Sequence, residues 1–386
     1  MNNIINYGSQ KIDNNDINSV VDSLKKKLLT TGPITNLFED KLKKKLNVNY
    51  AHVCNSGTSA LYLALKSIGI RKGDVIISPA INFISTVNIA SLLGAKVYFS
   101  DVDPATSQSS PNQIIDCIKK NRINKIKALI IMFNGGYPRD IFELHKLKKK
   151  YAFYLIEDAC HAFGARYIIN KKKYFIGSCK HSDISTFSFH PLKTITTCEG
   201  GAITTNNYKI SKKIQLLRSH GIKRNIKCYW KYDVLENGLN FRLSDVNCSL
   251  GISQLKKINH ILKFRKKIYS NYVNELDKYQ NIIKIIKKEK KTYPSYHLVI
   301  ALFDFKKLKI SRDKFMMIMN KNKIFLQIHY KPIYKFKIFN KFKSLNGSEK
   351  YYNSCISLPI HLNLKSNDIS RTIKIIKKTI DKWKKN

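Results

Sequence analysis

Ser188-Phe-His190-Pro-Leu-Lys193-Thr-Ile-Thr-Thr-Cys-Glu199-Gly-Gly201 is the stretch on which the reading of the fold turns. It sets one lysine inside a turn rich in Ser, His, Thr and Gly, and Ala202 to Thr205 then reads as a return strand. Upstream, the hydrophobic run Phe153 to Glu157 leads into Ile156-Glu-Asp158-Ala-Cys-His161-Ala-Phe-Gly-Ala. Asp158 therefore falls at the carboxyl end of an expected strand, where open α/β sheets place their ligands.

Working outward, the pattern alternates. Ala51 to Cys54, Asp74 to Ser78, Lys96 to Phe99 and Ala128 to Phe133 are short apolar runs of strand length. Helical spacing separates them, at Ala60 to Leu65, about Thr86 to Leu93, and Ile141 to Lys150. Near-continuous apolar strands alternating with helices predict a mostly parallel central sheet covered on both faces by helices. Before the first strand, Ile17, Val20, Val21, Leu24 and Leu28 recur at helical spacing and stop at Thr31-Gly32-Pro33, and Phe38, Leu42 and Leu46 suggest a second helix. After about Ser253 the texture changes to lysine-rich helices over Gln254 to Leu276, strands at Tyr296 to Phe303 and Phe325 to His329, and helices at Arg312 to Asn320 and Asp368 to Trp383. The expectation is a large α/β domain over 1–252 and a smaller C-terminal α+β domain over 253–386.

The chain has 386 residues with 70 Lys and Arg against 26 Asp and Glu, a formal charge of +44. A basic nucleic-acid-binding regulator is one class with such a balance. The lysines are instead spread along expected helices (Lys25 to Lys27, Lys43 to Lys45, Lys148 to Lys150, Lys377 to Lys378), which is the pattern of a solvated face. No recognition motif accompanies them, so no nucleic-acid partner is expected; the charge would still attract an anionic substrate. The eight cysteines stand singly with no metal-type spacing, and neither a metal site nor a disulfide framework is expected. The apolar stretch from Val75 to Phe99 is broken by Ser, Asn and Pro, and Met-Asn-Asn-Ile-Ile-Asn-Tyr lacks an apolar signal core, so a soluble cytoplasmic protein without membrane attachment is expected.

Each candidate site residue has an ordinary reading beside the functional one. Ser56-Gly57-Thr58 sits between a strand and a helix, where backbone N–H groups bind phosphate, or where a plain helix cap would lie. Asp158 alone could cap a helix, Phe83 could be core, and Lys193 is one lysine among many. Their order separates the readings. A phosphate turn, an aromatic, a strand-tip carboxylate and a lysine in a Ser/Gly turn together are what a pyridoxal phosphate enzyme needs. The lysine bonds to the cofactor aldehyde, and the carboxylate holds the pyridine nitrogen protonated so the ring can accept electrons.

Over nearly its whole length the chain resembles the DegT/DnrJ/EryC1/StrS sugar aminotransferases, which are fold type I pyridoxal phosphate enzymes. The resemblance rests on Leu29-Thr-Thr-Gly32, Asn55-Ser-Gly-Thr-Ser-Ala-Leu61, Glu157-Asp-Ala-Cys-His-Ala-Phe-Gly164, the lysine stretch Phe187 to Gly201, Arg218-Ser-His-Gly221 and Gly238-Leu-Asn-Phe-Arg-Leu-Ser244. It implies that Lys193 and Asp158 are catalytic, that Phe83 stacks on the cofactor ring, and that His161, where many relatives carry glutamine, sits by its phenolic oxygen. It implies that Gly57, Thr58 and Ser188 hold the phosphate, with Asn240 reaching the phosphate of a neighbouring subunit in a homodimer with shared sites. Tyr7, Lys27, Thr30, His329, Tyr330 and Lys331 match positions near a nucleotide sugar. Arg242 suits an anionic group as well as it suits a structural ion pair, and Tyr330 suits packing as well as binding. The stretches Gln327-Ile-His-Tyr-Lys-Pro-Ile-Tyr334 and Ile356-Ser-Leu-Pro-Ile-His361 resemble the branch that transfers an amino group from L-glutamate to C4 of a UDP-linked 4-keto-6-deoxy-N-acetylhexosamine. A GDP- or dTDP-linked keto sugar is the alternative acceptor. The dehydratase branch of the family, which lacks the lysine, is disfavoured by Lys193.

Overall fold

The computed structural model describes residues 4–225, 227–228, 230–340 and 342–384. Its centre is a seven-stranded sheet built from β1 (Tyr50–Cys54), β2 (Val75–Pro79), β3 (Lys96–Ser100), β4 (Ala128–Met132), β5 (Tyr154–Asp158), β8 (Ile184–Ser188) and β9 (Gly201–Thr205). A hairpin of β6 (Arg166–Ile169) and β7 (Lys172–Phe175) lies between β5 and β8 in the chain. The sheet order is β1-β9-β8-β5-β4-β2-β3. Every neighbouring pair from β8 to β3 is parallel, while β9 runs antiparallel to both β8 and β1. The lysine-bearing turn, residues 189–200, links β8 to β9, so the return strand expected from the sequence is the one reversal in the sheet.

The helices are α1 (Asn14–Leu24), α2 (Pro33–Leu46), α3 (Gly57–Ser67), α4 (Ser85–Leu92), α5 (Pro111–Lys120), α6 (Ile141–Tyr151), α7 (Tyr208–Leu217), α8 (Asp245–Lys256) and α9 (Ile258–Leu276). Two apolar cores sandwich the sheet. One gathers Phe38 and Leu42 of α2 with Leu129, Leu155 and Phe187 of the strands, and the other gathers Leu63 of α3 and Ile214 of α7 with Ile130, Ile156 and Ile203. The alternation of inward residues along each strand thus feeds both faces, which is why the strands read as continuous apolar runs. α5 escapes the apolar-run reading but carries a local start signal: Ser110 accepts from the Gln113 amide, and Gln113 returns the bond to the Ser110 amide.

After an antiparallel pair of β10 (Ile222–Arg224) and β11 (Tyr232–Val234), a further core closes around β12 (Ile283–Ile285), β14 (Val299–Phe303), β15 (Cys355–Leu358) and the helices α10 (Arg312–Lys321) and α12 (Ser366–Lys384), with α11 (Asn346–Ser354) alongside. The helix α9 serves two cores, with Ile258 and Ile261 in the sheet core and Ile268, Tyr272 and Leu276 in the C-terminal one. The chain also crosses over elsewhere. Ile5 pairs with Ile324, and β13 (Thr292–Tyr293) adds to β6. A strand was expected at Phe325 to His329. The structure gives a single bridge there, Gln327 with Ser357. The His329 carbonyl accepts from Asn134 Nδ2 and Tyr351 Oη, so the backbone leaves the ladder to meet the segment just past the carboxyl end of β4.

One buried carboxylate fixes the entry to α2. Asp245, fully buried, accepts from the Gly32 amide (3.0 Å), the Ile34 amide (3.0 Å) and Thr35 Oγ1 (2.7 Å). Asp245→Ala strands three donors in a dry site, so a loss of about 3 kcal/mol is expected. Chemical denaturation measures it; a loss under about 1 kcal/mol would mean that water re-pairs those donors.

Candidate active site

The carboxyl ends of β1, β5 and β8 open into a cavity of about 470 Å³. Tyr7, Gly57, Thr58, Phe83, Asp158, His161, Ser188, Lys193, His329 and Tyr330 all line it, which unites ten of the positions anticipated from the sequence. A larger groove of about 920 Å³ on α9 and α12 is lined by surface residues such as Glu275, Lys377 and Lys378 and has no such convergence.

Local structure explains each placement. β1 feeds directly into α3, whose cap residue Ser56 accepts from the Ser59 amide (3.0 Å). The first amides of α3, at Gly57 and Thr58, stand ahead of the helical ladder on residues that line the cavity, an anion site by dipole and by donors. A Cβ at Gly57 would lie 2.8 Å from the Ser188 Cβ, so the absence of a side chain lets β1–α3 approach β8 here.

Asp158 ends β5 and is nearly fully buried. Its Oδ2 accepts from Thr86 Oγ1 (3.2 Å) and its Oδ1 from the Cys160 amide (3.3 Å), which fixes the carboxylate plane. Asn82 supports this from behind, donating to Thr86 Oγ1 (3.3 Å) while accepting from the Phe83 amide (2.7 Å). Phe83 is 51% exposed in the single chain, lines the cavity and lies beside Tyr330, with 5.9 Å between ring centroids. An aromatic face left bare inside a cavity is a stacking surface.

Lys193 rides a turn closed at its base by the Phe189 amide to the Gly200 carbonyl (2.8 Å) and the Thr197 amide to the Phe189 carbonyl (3.0 Å). Asn247 of α8 staples the turn by donating to the Thr197 carbonyl (2.5 Å). Burial lowers the Lys193 pKa, while Cys160 and Asp158 act the other way. Burial is the largest influence, so the shift is toward the neutral amine, the form that attacks a carbonyl.

Histidines crowd the far wall. His161 takes the Gly135 amide on Nδ1 (3.3 Å) and meets Tyr330 Oη with Nε2 (3.0 Å). His297 packs on it, with ring centroids 4.2 Å apart. Burial, reinforced by the Lys193 charge, holds His161, His297 and His329 below the ordinary imidazole range, His329 at about 3. Tyr7 arrives through the N-terminal segment, whose carbonyl at Tyr7 accepts from the Ile360 amide (2.9 Å), and its ring lies 5.4 Å from that of His329.

Five anticipated positions lie outside this cavity. Lys27 is exposed after α1, and Thr30 bridges Ser244. Asn240 is exposed and bridges Ser219, and its Oδ1 accepts from the Arg242 amide (3.4 Å). Lys331 is exposed over the Phe336 ring at 5.0 Å. Conversely, sequence reasoning passed over Asn82, Thr86, Cys160, Glu199, Gln327 and His297. No motif marks His297, which comes from the C-terminal half and enters the site through tertiary packing.

The donor set suits a phosphorylated pyridine aldehyde. It offers an amine for the aldehyde, a buried carboxylate for the ring nitrogen, a bare aromatic for the ring face and a side-chain-free helix start for the phosphate. A sheet of this topology with a lysine between β8 and β9 and an acid at the tip of β5 is the arrangement of the fold type I pyridoxal phosphate enzymes. The DegT/DnrJ/EryC1/StrS aminotransferase family pattern matches residues 10–377. The chain is 39% identical over 369 residues to a UDP-4-amino-4,6-dideoxy-N-acetyl-beta-L-altrosamine transaminase of Campylobacter jejuni, covering 94% of each. It is 30% identical to a transaminase of the same name from Helicobacter pylori, covering 98% of each. Among solved structures, Helicobacter pylori PseC, an aminotransferase involved in the biosynthesis of pseudoaminic acid, superposes with a TM-score of 0.90 at 29% identity, over 98% of this chain and 100% of the other. The chain belongs to the DegT/DnrJ/EryC1/StrS aminotransferase family, whose enzymes depend on pyridoxal phosphate.

Gly57→Ala tests the phosphate cradle. The added Cβ must push Ser188 aside, so cofactor affinity is expected to fall about tenfold, or about 1.4 kcal/mol, in an absorbance titration. Unchanged affinity would remove the α3 start from the phosphate site.

Proposed function

We propose that this chain transfers an amino group from L-glutamate to C4 of a UDP-linked 4-keto-6-deoxy-N-acetylhexosamine, the reaction type of pseudaminic acid synthesis. The observation that carries the reading is the half-buried Lys193 lining one cavity with the buried Asp158 at the β5 tip. The substrate side is supported by the likeness to the Campylobacter jejuni transaminase along 94% of the chain. Bound pyridoxal phosphate supplies an electron sink for charge left on a substrate carbon. Asp158, fixed by Thr86 and Cys160, stabilises a proton on the ring nitrogen. Lys193 Nζ takes a proton from the donor's α-carbon and returns one when the sugar carbon is aminated. Phe83 and Tyr330 line the same cavity as a tilted aromatic pair, an apolar surface beside the lysine and the carboxylate.

We further propose a homodimer with shared sites. The α1 face carries Ile17, Val21 and Leu24 outward, continued by Leu28, Leu29 and Leu239, all at least 41% exposed in the single chain. The apolar period of α1 needs a partner surface, and a second copy supplies one. Lys27, Thr30, Asn240 and Arg242 belong to the segments that carry or flank this face, which suits a role in the neighbour's cavity. Two folding units, 1–252 and 253–386, and a cytoplasmic location complete the reading. Among the described residues no helix is long and apolar enough to cross a membrane.

The test is the visible spectrum of the purified protein before and after L-glutamate, followed by UDP-, GDP- and dTDP-linked keto sugars. A yellow band that glutamate bleaches and that the UDP sugar restores supports the reading. A band restored by a GDP or dTDP sugar instead would move the acceptor. A protein that stays colourless with pyridoxal phosphate would sink the enzyme reading.

A further inference from the structure

His161 can be assigned a proton arrangement from its contacts. The Gly135 amide must donate, so His161 Nδ1 accepts at 3.3 Å. A neutral imidazole with Nδ1 as acceptor carries its proton on Nε2. Nε2 lies 3.0 Å from Tyr330 Oη and therefore donates to it. The ring is not free to turn over. The Ser295 hydroxyl holds the His161 carbonyl (2.6 Å), His297 stacks at 4.2 Å, and Tyr330 lies nearly parallel at 27°. Gly135 is itself constrained, with φ of 71° and Tyr137 2.8 Å from where a Cβ would sit. The amide that sets the tautomer is thus part of the rigid frame.

With one lone pair taken by His161, the Tyr330 hydroxyl keeps its own proton for another partner. Among the described residues no second hydrogen-bond partner of that hydroxyl appears, and Tyr330 lines the cavity. Resting on the keto-sugar reading above, we infer that His161 is a positioning residue that makes Tyr330 a one-way hydrogen-bond donor toward the cavity, where it recognises an acceptor oxygen of the ligand. The oxygen that this arrangement favours is the ketone of the sugar. The aminated product, an ammonium at neutral pH, offers no lone pair there, so the same contact discriminates substrate from product. The phenolic oxygen of the cofactor has the same acceptor chemistry and is the other source.

The test compares Tyr330→Phe, His161→Leu and His161→Gln in the full-length holoenzyme. Cofactor affinity is read by absorbance titration without sugar, and the two half-reactions are followed separately. Tyr330→Phe and His161→Leu are each expected to lower kcat/KM of the sugar half-reaction about tenfold, the size of one neutral hydrogen bond, and to lower the glutamate half-reaction by clearly less. The double variant is expected to be no worse than either single one, since both remove the same contact. His161→Gln should restore activity, because its amide oxygen can accept from Gly135 while its NH2 donates to Tyr330. A loss in cofactor affinity instead, equal in both variants, would assign the acceptor oxygen to the cofactor. Additive losses, or a glutamine variant as poor as the leucine one, would overturn the relay. If His161→Leu fails to fold, Tyr330→Phe decides: no change in either readout overturns the donor role. A wild-type enzyme inert toward every keto sugar would sink the substrate reading alone, and the cofactor titration would still judge Tyr330.

Discussion

Lys193→Ala is expected to lower turnover by at least about 10³-fold while leaving the fold intact. Under the proposed roles the variant loses two functions at once, the amine that would bond to the cofactor aldehyde and the base that would move a proton at the substrate carbon. The fold should survive because the turn is held by backbone bonds, Phe189 to Gly200 and Thr197 to Phe189, and by Asn247, none of which uses the lysine side chain. Cofactor is expected to remain bound through the α3 start and Asp158, with the yellow band replaced by that of the free aldehyde. Visible absorption and a steady-state assay on the same preparation measure both effects. Full turnover by the alanine variant would mean that the base is another residue, with His190 the nearest candidate on the same turn.

Asp158→Asn carries the second large effect. The replacement keeps size and the contacts to Thr86 and the Cys160 amide within reach, but it removes the charge that stabilises a proton on the ring nitrogen. A preorganised charge at such a position is worth about 10²- to 10³-fold in rate. Turnover is expected to fall by that factor in both half-reactions, with the covalent band to Lys193 still formed. A variant keeping more than about a tenth of wild-type turnover would be inconsistent with that electrostatic role. The contrast with Lys193→Ala is diagnostic. One variant loses the covalent band, and the other keeps the band and loses the rate.

Much of this site was legible because its chemistry is packed into short local stretches. Ser56-Gly57-Thr58, the Asp158 strand tip and the Lys193 turn each follow a strand, and the common direction of β1, β5 and β8 puts them at one end of the sheet. What supports them was not legible. Thr86 and Asn82 act on Asp158 from 72 and 76 positions away in the chain, and nothing in their immediate sequence marks them. His297 reaches the site because β14 and the segment before it dock against the Gly135 turn.

The α1 stretch shows the opposite limit. Its period of apolar residues predicts a helix, and α1 is one, but period does not say which surface the stripe will meet. In the single chain Ile17, Val21 and Leu24 face outward, and nothing in their own period sets what meets them. Likewise Phe325 to His329 has strand composition, yet Asn134 and Tyr351 capture the His329 carbonyl and turn the chain toward the cavity.

By itself, then, the sequence determined the strand–helix alternation, the mostly parallel sheet and the lysine–aspartate pair, because these follow from local period and turn chemistry. Tertiary structure alone decided the tautomer of His161, the aim of the Tyr330 hydroxyl and the support behind Asp158. Those depend on hydrogen bonds between segments far apart in the chain, which form only once the cores on both sides of the sheet have closed.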